Sequence, residues 1–187
     1  MSDLSERMRL DSFRFALEES RSHGCLDTDL ALMAYERADR VVALAPGREA
    51  WACGKGCAAC CHLKVHVTRP EVALIAAHLD TVLSEDEREA LRATVKARAQ
   101  AGADLDPGAW RRAALPCALL AEDGTCRVYD VRPVPCRIHT SPAVRACEDP
   151  DAVVALDRWL VLVGQALQRG LDPDSPRELH DALLHSS

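Results

Sequence analysis

No run of apolar residues in this chain is long enough to cross a bilayer, since a spanning helix needs about 20 in succession. The most apolar window, AVVALDRWLVLVGQAL, is cut by Asp157 and Arg158. The opening stretch, MSDLSERMRLDSFRFALEES, is charged and helical in pattern, without the apolar core of a secretory signal. These absences lead to the expectation of a cytoplasmic protein with no membrane partner. Internal repeats and low-complexity segments are also missing, so no repeat array is in question. There is no G-x-G-x-x-G after a strand, no G-x-x-x-x-G-K-[ST], no G-x-S-x-G and no H-E-x-x-H. The common signatures of dinucleotide-binding, P-loop, serine-hydrolase and zinc-protease chemistry are therefore not here. Positive charge is in deficit, 23 Lys and Arg against 29 Asp and Glu for a net charge of -6. That balance argues against a broad nucleic-acid surface and leaves a protein partner as the open class.

What the chain does have is ordinary bulk and unusual sulfur. Its 187 residues, 48% hydrophobic and 28% charged, suffice for one compact domain with a real core, so it does not need disulfides to fold. Yet it carries nine cysteines, eight of them in two blocks. The stretch WACGKGCAACCHLK holds Cys53, Cys57, Cys60 and Cys61. The stretch PCALLAEDGTCRVYDVRPVPCRIHTSPAVRAC holds Cys117, Cys126, Cys136 and Cys147. In a reducing compartment thiols stay reduced. Clustered cysteines there read as metal ligands rather than disulfides.

The pattern is mostly helical. A first helix is expected over 4–22, closed by Gly24. Leu30, Met33, Arg37, Val41 and Leu44 recur at helical spacing in a second, which stops before Pro46-Gly47. Gly54 and Gly56 make 53–57 a tight loop. Thr68-Arg69-Pro70-Glu71 is a capping box heading a helix to about Leu79, and Ser84 to Glu87 heads another that ends at Gly102. A short helical turn follows Asp106-Pro107. Asp123-Gly124 between two short runs signals a hairpin. Pro133, Pro135 and Pro142 then forbid long regular structure. Asp149-Pro150 is expected to open a helix through DAVVALDRWLVLVGQALQ, closed by Gly170, and Ser175-Pro176-Arg177-Glu178 to cap a last one. The fold class is mainly α with a small β-hairpin, a single α-rich domain over 1–187. A cysteine-cluster core at 51–147 lies between helical segments 1–50 and 148–187, its metal centre between a knuckle loop and a hairpin with irregular loop.

Zinc takes four ligands in a tetrahedron, and a cubane iron–sulfur cluster takes four cysteines, one per iron. Cys57-x2-Cys60 fits a two-ligand knuckle, and a metal shared by the two blocks would close residues 62–116 into a loop. Cys60 and Cys61 are adjacent, and neighbouring side chains point apart in both strand and helix. A helical turn after Gly56 would instead put Cys57, Cys60 and Cys61 on one face. That placement suits a polynuclear centre or two centres side by side, and eight cysteines also make two four-thiolate sites. Arg127, Arg132, Arg137 and Arg145 are interleaved with the second block, where guanidinium groups would stabilise thiolates. Arg132 and Arg137 touch the motif directly. His62, His66 and His139 are alternative zinc ligands, although the thiols are already in surplus. His23, His78, His180 and His185 read as surface or helix-end residues. Cys25, alone, reads as a small buried apolar residue. Trp51 reads either as core packing or as a cover over the cluster.

Taken together, the two blocks resemble the YkgJ-type cysteine-cluster family, described as chelating zinc or iron. The family pattern runs C-x2-C-x2-C-C, a Cys before a Leu-containing run, G-x-C-x-x-Y, R-P-x-x-C-R, and often one more Cys. Here it reads Cys53, Cys57, Cys60-Cys61, CALL at Cys117, GTCRVY at Cys126, RPVPCR at Cys136 and RAC at Cys147. The match covers about half of the chain. The first spacing is C-x3-C, and Ile138-His139 stands where the family often has an aromatic, which draws attention to His139. A similar module in flagellin lysine methylases is associated with an iron–sulfur cluster. No S-adenosylmethionine signature is visible here, so the methylation is not carried over. The expected function is a metal-binding protein with an iron–sulfur cluster favoured over zinc. The alternatives are a cluster-dependent redox or group-transfer enzyme and a structural-zinc adaptor.

Overall fold

The computed structural model of the chain describes residues 3–152, 154–174 and 176–186. Helix α1 (Asp3–Ser22) ends two residues before Gly24, which takes φ +78, a conformation that glycine adopts without strain. Helix α2 (Asp27–Ala43) stops short of Pro46. Helices α3 (Arg69–Val82) and α4 (Glu85–Gly102) start at the two capping boxes. Helix α5 (Pro107–Arg112) is capped by Asp106, whose carboxylate accepts from the Ala109 N–H at 2.7 Å. Two one-turn helices follow, α6 (Val134–Ile138) and α7 (Val144–Glu148), then α8 (Arg158–Leu171) and α9 (Leu179–Leu184). Strand β1 (His66–Val67) pairs antiparallel with β2 (Arg177–Glu178), His66 opposite Glu178 and Val67 opposite Arg177. The chain is thus mainly helical with one small antiparallel strand pair.

The turn at Asp123-Gly124 forms, with Gly124 at φ +81 and the Ala121 N–H donating to Thr125 O at 2.8 Å. It carries a single antiparallel bridge, Leu120 to Cys126, while the named strands pair across the whole chain. Two expectations fail. The helix expected from Asp149 starts only at Arg158: 150–152 form a turn, 154–157 are irregular, and Val153 lies outside the described residues. Asp157 acts as N-cap, accepting from the Leu160 N–H at 3.0 Å, so the residue that interrupts the apolar window begins the helix. The third capping box is also overturned. Ser175 lies outside the described residues, Arg177–Glu178 is strand, and the Glu178 side chain caps α9 by accepting from the His180 and Asp181 N–H groups.

Packing follows from the helical spacing of apolar residues. The buried residues of α8 include Leu160, Val163, Gly164, Leu167 and Leu171, one stripe at three- and four-residue steps. With Leu17 of α1, Leu30 and Tyr35 of α2 and Val134 of α6, the residues Val163, Leu167 and Leu171 form a first core. Val67, Ile75, Leu79, Leu119, Val128 and Leu179 form a second. Each fully buried Leu or Ile contributes roughly 1.5–3 kcal/mol. Gly164 lets α6 approach α8, since a Cβ there would meet Ile138 Cδ1 at 2.2 Å. Among the described residues no helix is long and apolar enough to cross a membrane.

Candidate metal centre

The first cysteine block is a loop held from outside rather than by its own ladder. Gly56 at φ +92 turns the chain, and a single 3-10 turn, Ala59–His62, carries Cys60 and Cys61. The Ala52 N–H donates to Ser141 O at 2.9 Å and the Cys117 N–H to Cys61 O at 2.7 Å, stapling the first block to the second. The Ser141 N–H also points at Cys53 Sγ, 3.1 Å away. Helix α7, which bears Cys147, packs on the 3-10 turn. Cys126 sits at the bridge with Leu120, and Cys136 sits on α6. The start of α6 is fixed by Glu71: its Oε1 accepts from the Val134 N–H at 2.7 Å, its Oε2 from the Thr68 N–H and hydroxyl, both at 2.8 Å. Glu71 is fully buried, so the capping box of α3 also anchors the helix that carries a cysteine.

All eight cysteines of the two blocks line one cavity of about 280 Å³ beside the second core, together with Trp51, Arg132, Arg137 and His139. Cys25 does not; it is partly buried against the α1–α2–α8 core. Cys53 is exposed and the other seven are partly buried. As they stand, no three His, Cys, Asp or Glu side chains among the described residues are arranged to grip one ion. Cys57, Cys60, Cys61, Cys126 and Cys136 therefore do not converge on a point as the ligands of one ion would. They ring a space instead. A molecule of liquid water takes about 30 Å³, so the cavity is wider than one ion requires. Soft, numerous donors around such a space suit thiophilic metal, zinc or an iron–sulfur cluster.

Five of the thiols, Cys53, Cys60, Cys117, Cys126 and Cys136, hold their protons more firmly than a free thiol in this arrangement. Burial pushes Cys117 up to about 12, and burial, with the nearby sulfurs of Cys60, Cys117 and Cys126, also raises Cys136 well above the ordinary thiol value. A hydrogen bond with Cys61, then burial, raises Cys60; burial raises Cys126 and Cys53. Arg132 works in the opposite direction on Cys60 and Cys126, but is outweighed. Metal must therefore displace protons to bind.

Of the four interleaved arginines, Arg132 and Arg137 line the cavity, whereas Arg127 and Arg145 do not. Arg132 stacks over the Tyr129 ring at 4.0 Å and donates to Tyr129 O at 2.9 Å. Arg137 is a buried clamp. It donates to Arg132 O at 2.7 Å, to Asp130 O, and to Asp39 Oδ2 at 2.6 Å, and its guanidinium lies 4.2 Å from the Tyr35 ring centre. It fixes the RPVPCR loop rather than offering charge to the thiols.

The histidines sort differently from expectation. His180, read from the sequence as a surface or helix-end residue, is 2% exposed. Its Nε2 accepts from the Ala118 N–H at 3.1 Å, so Nδ1 carries the proton and donates to Glu178 Oε1 at 2.7 Å. Trp110 stacks on the ring at 5.7 Å between centroids. The imidazole thus holds the backbone next to Cys117, and no local pattern announces its burial because Ala118 and Trp110 lie far away in sequence. His66 is exposed in β1, and His62 lines a separate outer pocket. His139 lines the cavity, and its buried Nε2 has no hydrogen-bond partner. Burial, and then the Arg111 charge, holds its pKa below the ordinary histidine value.

No curated protein and no solved structure matches this chain. A family model does: the one described as "Putative zinc- or iron-chelating domain" matches residues 52–153, a span that holds all eight clustered cysteines and His139. That span is more than half of the chain, and the protein accordingly belongs to the CxxCxxCC family.

Proposed function

We propose that this protein holds an iron–sulfur cluster, with zinc as the second candidate, on thiolates drawn from Cys53, Cys57, Cys60, Cys61, Cys117, Cys126, Cys136 and Cys147. The observation that carries the reading is their common cavity: two blocks separated by the 62–116 stretch face one space, while Cys25 stays apart. The all-sulfur surplus, the adjacent pair Cys60-Cys61 and the width of the cavity favour a cluster over a lone ion. A bound cluster would supply one-electron chemistry, and zinc a cross-link. The chain's own residues prepare the place. Arg132 offers positive charge beside Cys60 and Cys126, Arg137 fixes the loop that carries Cys136, and Trp51 covers one side. Anaerobic purification followed by analysis for iron, zinc and sulfide tests this. Iron with matching sulfide and a brown colour is expected. Zinc without sulfide would move the reading to a structural centre, and absence of both metals after reconstitution would end it.

A cluster-using redox or group-transfer enzyme is the second reading. It is favoured by an outer pocket of about 620 Å³ that shares Cys57 and Cys147 with the cavity and adds His62, Arg112 and Glu148. Small-molecule entry there would shift the visible spectrum of the loaded protein; a purely structural centre would not respond.

A further inference from the structure

The eight thiols are not equivalent in where they face. Cys57 and Cys147 line the cavity and also the outer pocket, and Cys53 lines the cavity and also a shallow pocket beside Trp51. Cys60, Cys61, Cys117, Cys126 and Cys136 line the cavity and neither of those pockets. The chain thus presents an inner group of five thiols and an outer group of three.

Three thiolates leave a tetrahedral ion one ligand short. The inner group has no thiol that faces outward to complete the set. His139 lines the same cavity, two residues before Ser141, whose N–H already points at Cys53 Sγ at 3.1 Å. Its Nε2 is buried and has no hydrogen-bond partner, an unfavourable arrangement unless something takes up the lone pair. His62 is the rival donor: it faces the outer pocket with Cys57 and Cys147 but does not line the cavity. We propose that the cavity holds two centres, an inner all-thiolate one and an outer mononuclear one of zinc type closed by Cys53, Cys57, Cys147 and His139 Nε2. The proposal rests on the metal-binding reading above and divides its ligands. Each thiol that joins an ion releases a proton, and the four ligands of the outer site close around the ion by side-chain rotation, since they do not surround a point beforehand.

Cobalt(II) is the probe, because its absorption reports both stoichiometry and ligand type. Reduced, metal-free protein titrated anaerobically should take up two equivalents. H139A should lose one equivalent and the part of the spectrum belonging to three sulfurs and one nitrogen, and C147S should lose the same part. C136S should instead remove the all-sulfur part. H139C guards against simple misfolding: it should recover the second equivalent with the outer spectrum shifted to the all-sulfur form. Unchanged stoichiometry and spectrum in H139A would overturn the proposal, as would loss of the outer signal in H62A with H139A intact. A single equivalent in the unaltered chain would overturn the division but leave metal binding standing. No cobalt uptake at all would overturn both.

Discussion

At position 180 the imidazole does the work of a buried water and of a packing residue together. It accepts the Ala118 N–H, donates to Glu178 and stacks on Trp110. Alanine there would leave a void, a buried N–H without acceptor and a carboxylate without its donor. H180A is expected to lose about 2–4 kcal/mol, read as a lower urea midpoint with little change in slope. The pH dependence has a definite sign. Burial works to raise Glu178, but the hydrogen bond from His180 Nδ1, with those from the backbone N–H groups of His180 and Asp181, outweighs it and holds its pKa below the ordinary carboxylate value. A carboxylate lowered in the fold stabilises above its unfolded value and loses that contribution as pH falls. Unfolding curves between about pH 6 and pH 3 should therefore fall more steeply for the native chain than for H180A. Nothing in the sequence marks His180 as buried, since Ala118 and Trp110 lie more than sixty positions upstream. The cysteines are the opposite case, since chemistry and count alone single them out.

Among the elements, those with local signals were legible. Thr68 with Glu71 and Ser84 with Glu87 head α3 and α4 as their spacing indicates, and Gly24 closes α1. The start of α8 was misplaced because an apolar stretch and Asp149-Pro150 look like a beginning, while Asp157 is the cap that forms. Strand β2 was invisible for a different reason: Arg177–Glu178 is extended only because β1 offers a partner more than a hundred residues earlier. Close contacts between elements were equally hidden. Gly102, at the end of α4, faces Trp110, and an added Cβ would stand 1.8 Å from the indole, which is 1% exposed. Alanine is the better helix former by about 1 kcal/mol, yet a rigid buried ring cannot move aside easily. G102A should thus be destabilising by roughly 1–3 kcal/mol rather than stabilising, checked by thermal unfolding. The tie from α3 to α6 yields a second test. E71Q replaces one oxygen by NH2, leaving either the Val134 N–H or the Thr68 pair without an acceptor. A loss of about 1–3 kcal/mol is expected, with weaker metal retention than in the native chain, because α6 carries Cys136.

For the whole molecule, the cavity borders the second core through Leu119, Val128 and Leu179, while among the described residues none of the first core lines it, and that position separates what metal holds from what packing holds. The thiols of Cys117 and Cys136 are raised by burial above the ordinary 9.0. An acid raised in the fold contributes stability below its unfolded value and loses it as pH rises through the folded one. Metal-free protein should therefore weaken above about pH 9, while the loaded protein, its thiols already deprotonated, should not; divergence of the two unfolding curves on the alkaline side is the readout. Metal removal at neutral pH should act regionally. The 51–64 loop owns few backbone bonds, the 117–147 segment is held by short local turns rather than a ladder, and the two are joined by staples such as Cys117 N–H to Cys61 O. Helices α2 and α8 are packed by Leu30, Tyr35, Val163 and Leu167 in the first core, which needs no thiol. Structural zinc in small fingers supplies about 10–16 kcal/mol, as much as a domain's whole stability. Hydrogen exchange in reductant, with and without chelator, should show protection lost across 51–64 and 127–145 and retained in α2 and α8. Equal protection of 127–145 in both states would mean that the loop is held by Arg137 and Glu71 alone, and that the metal occupies a site already made.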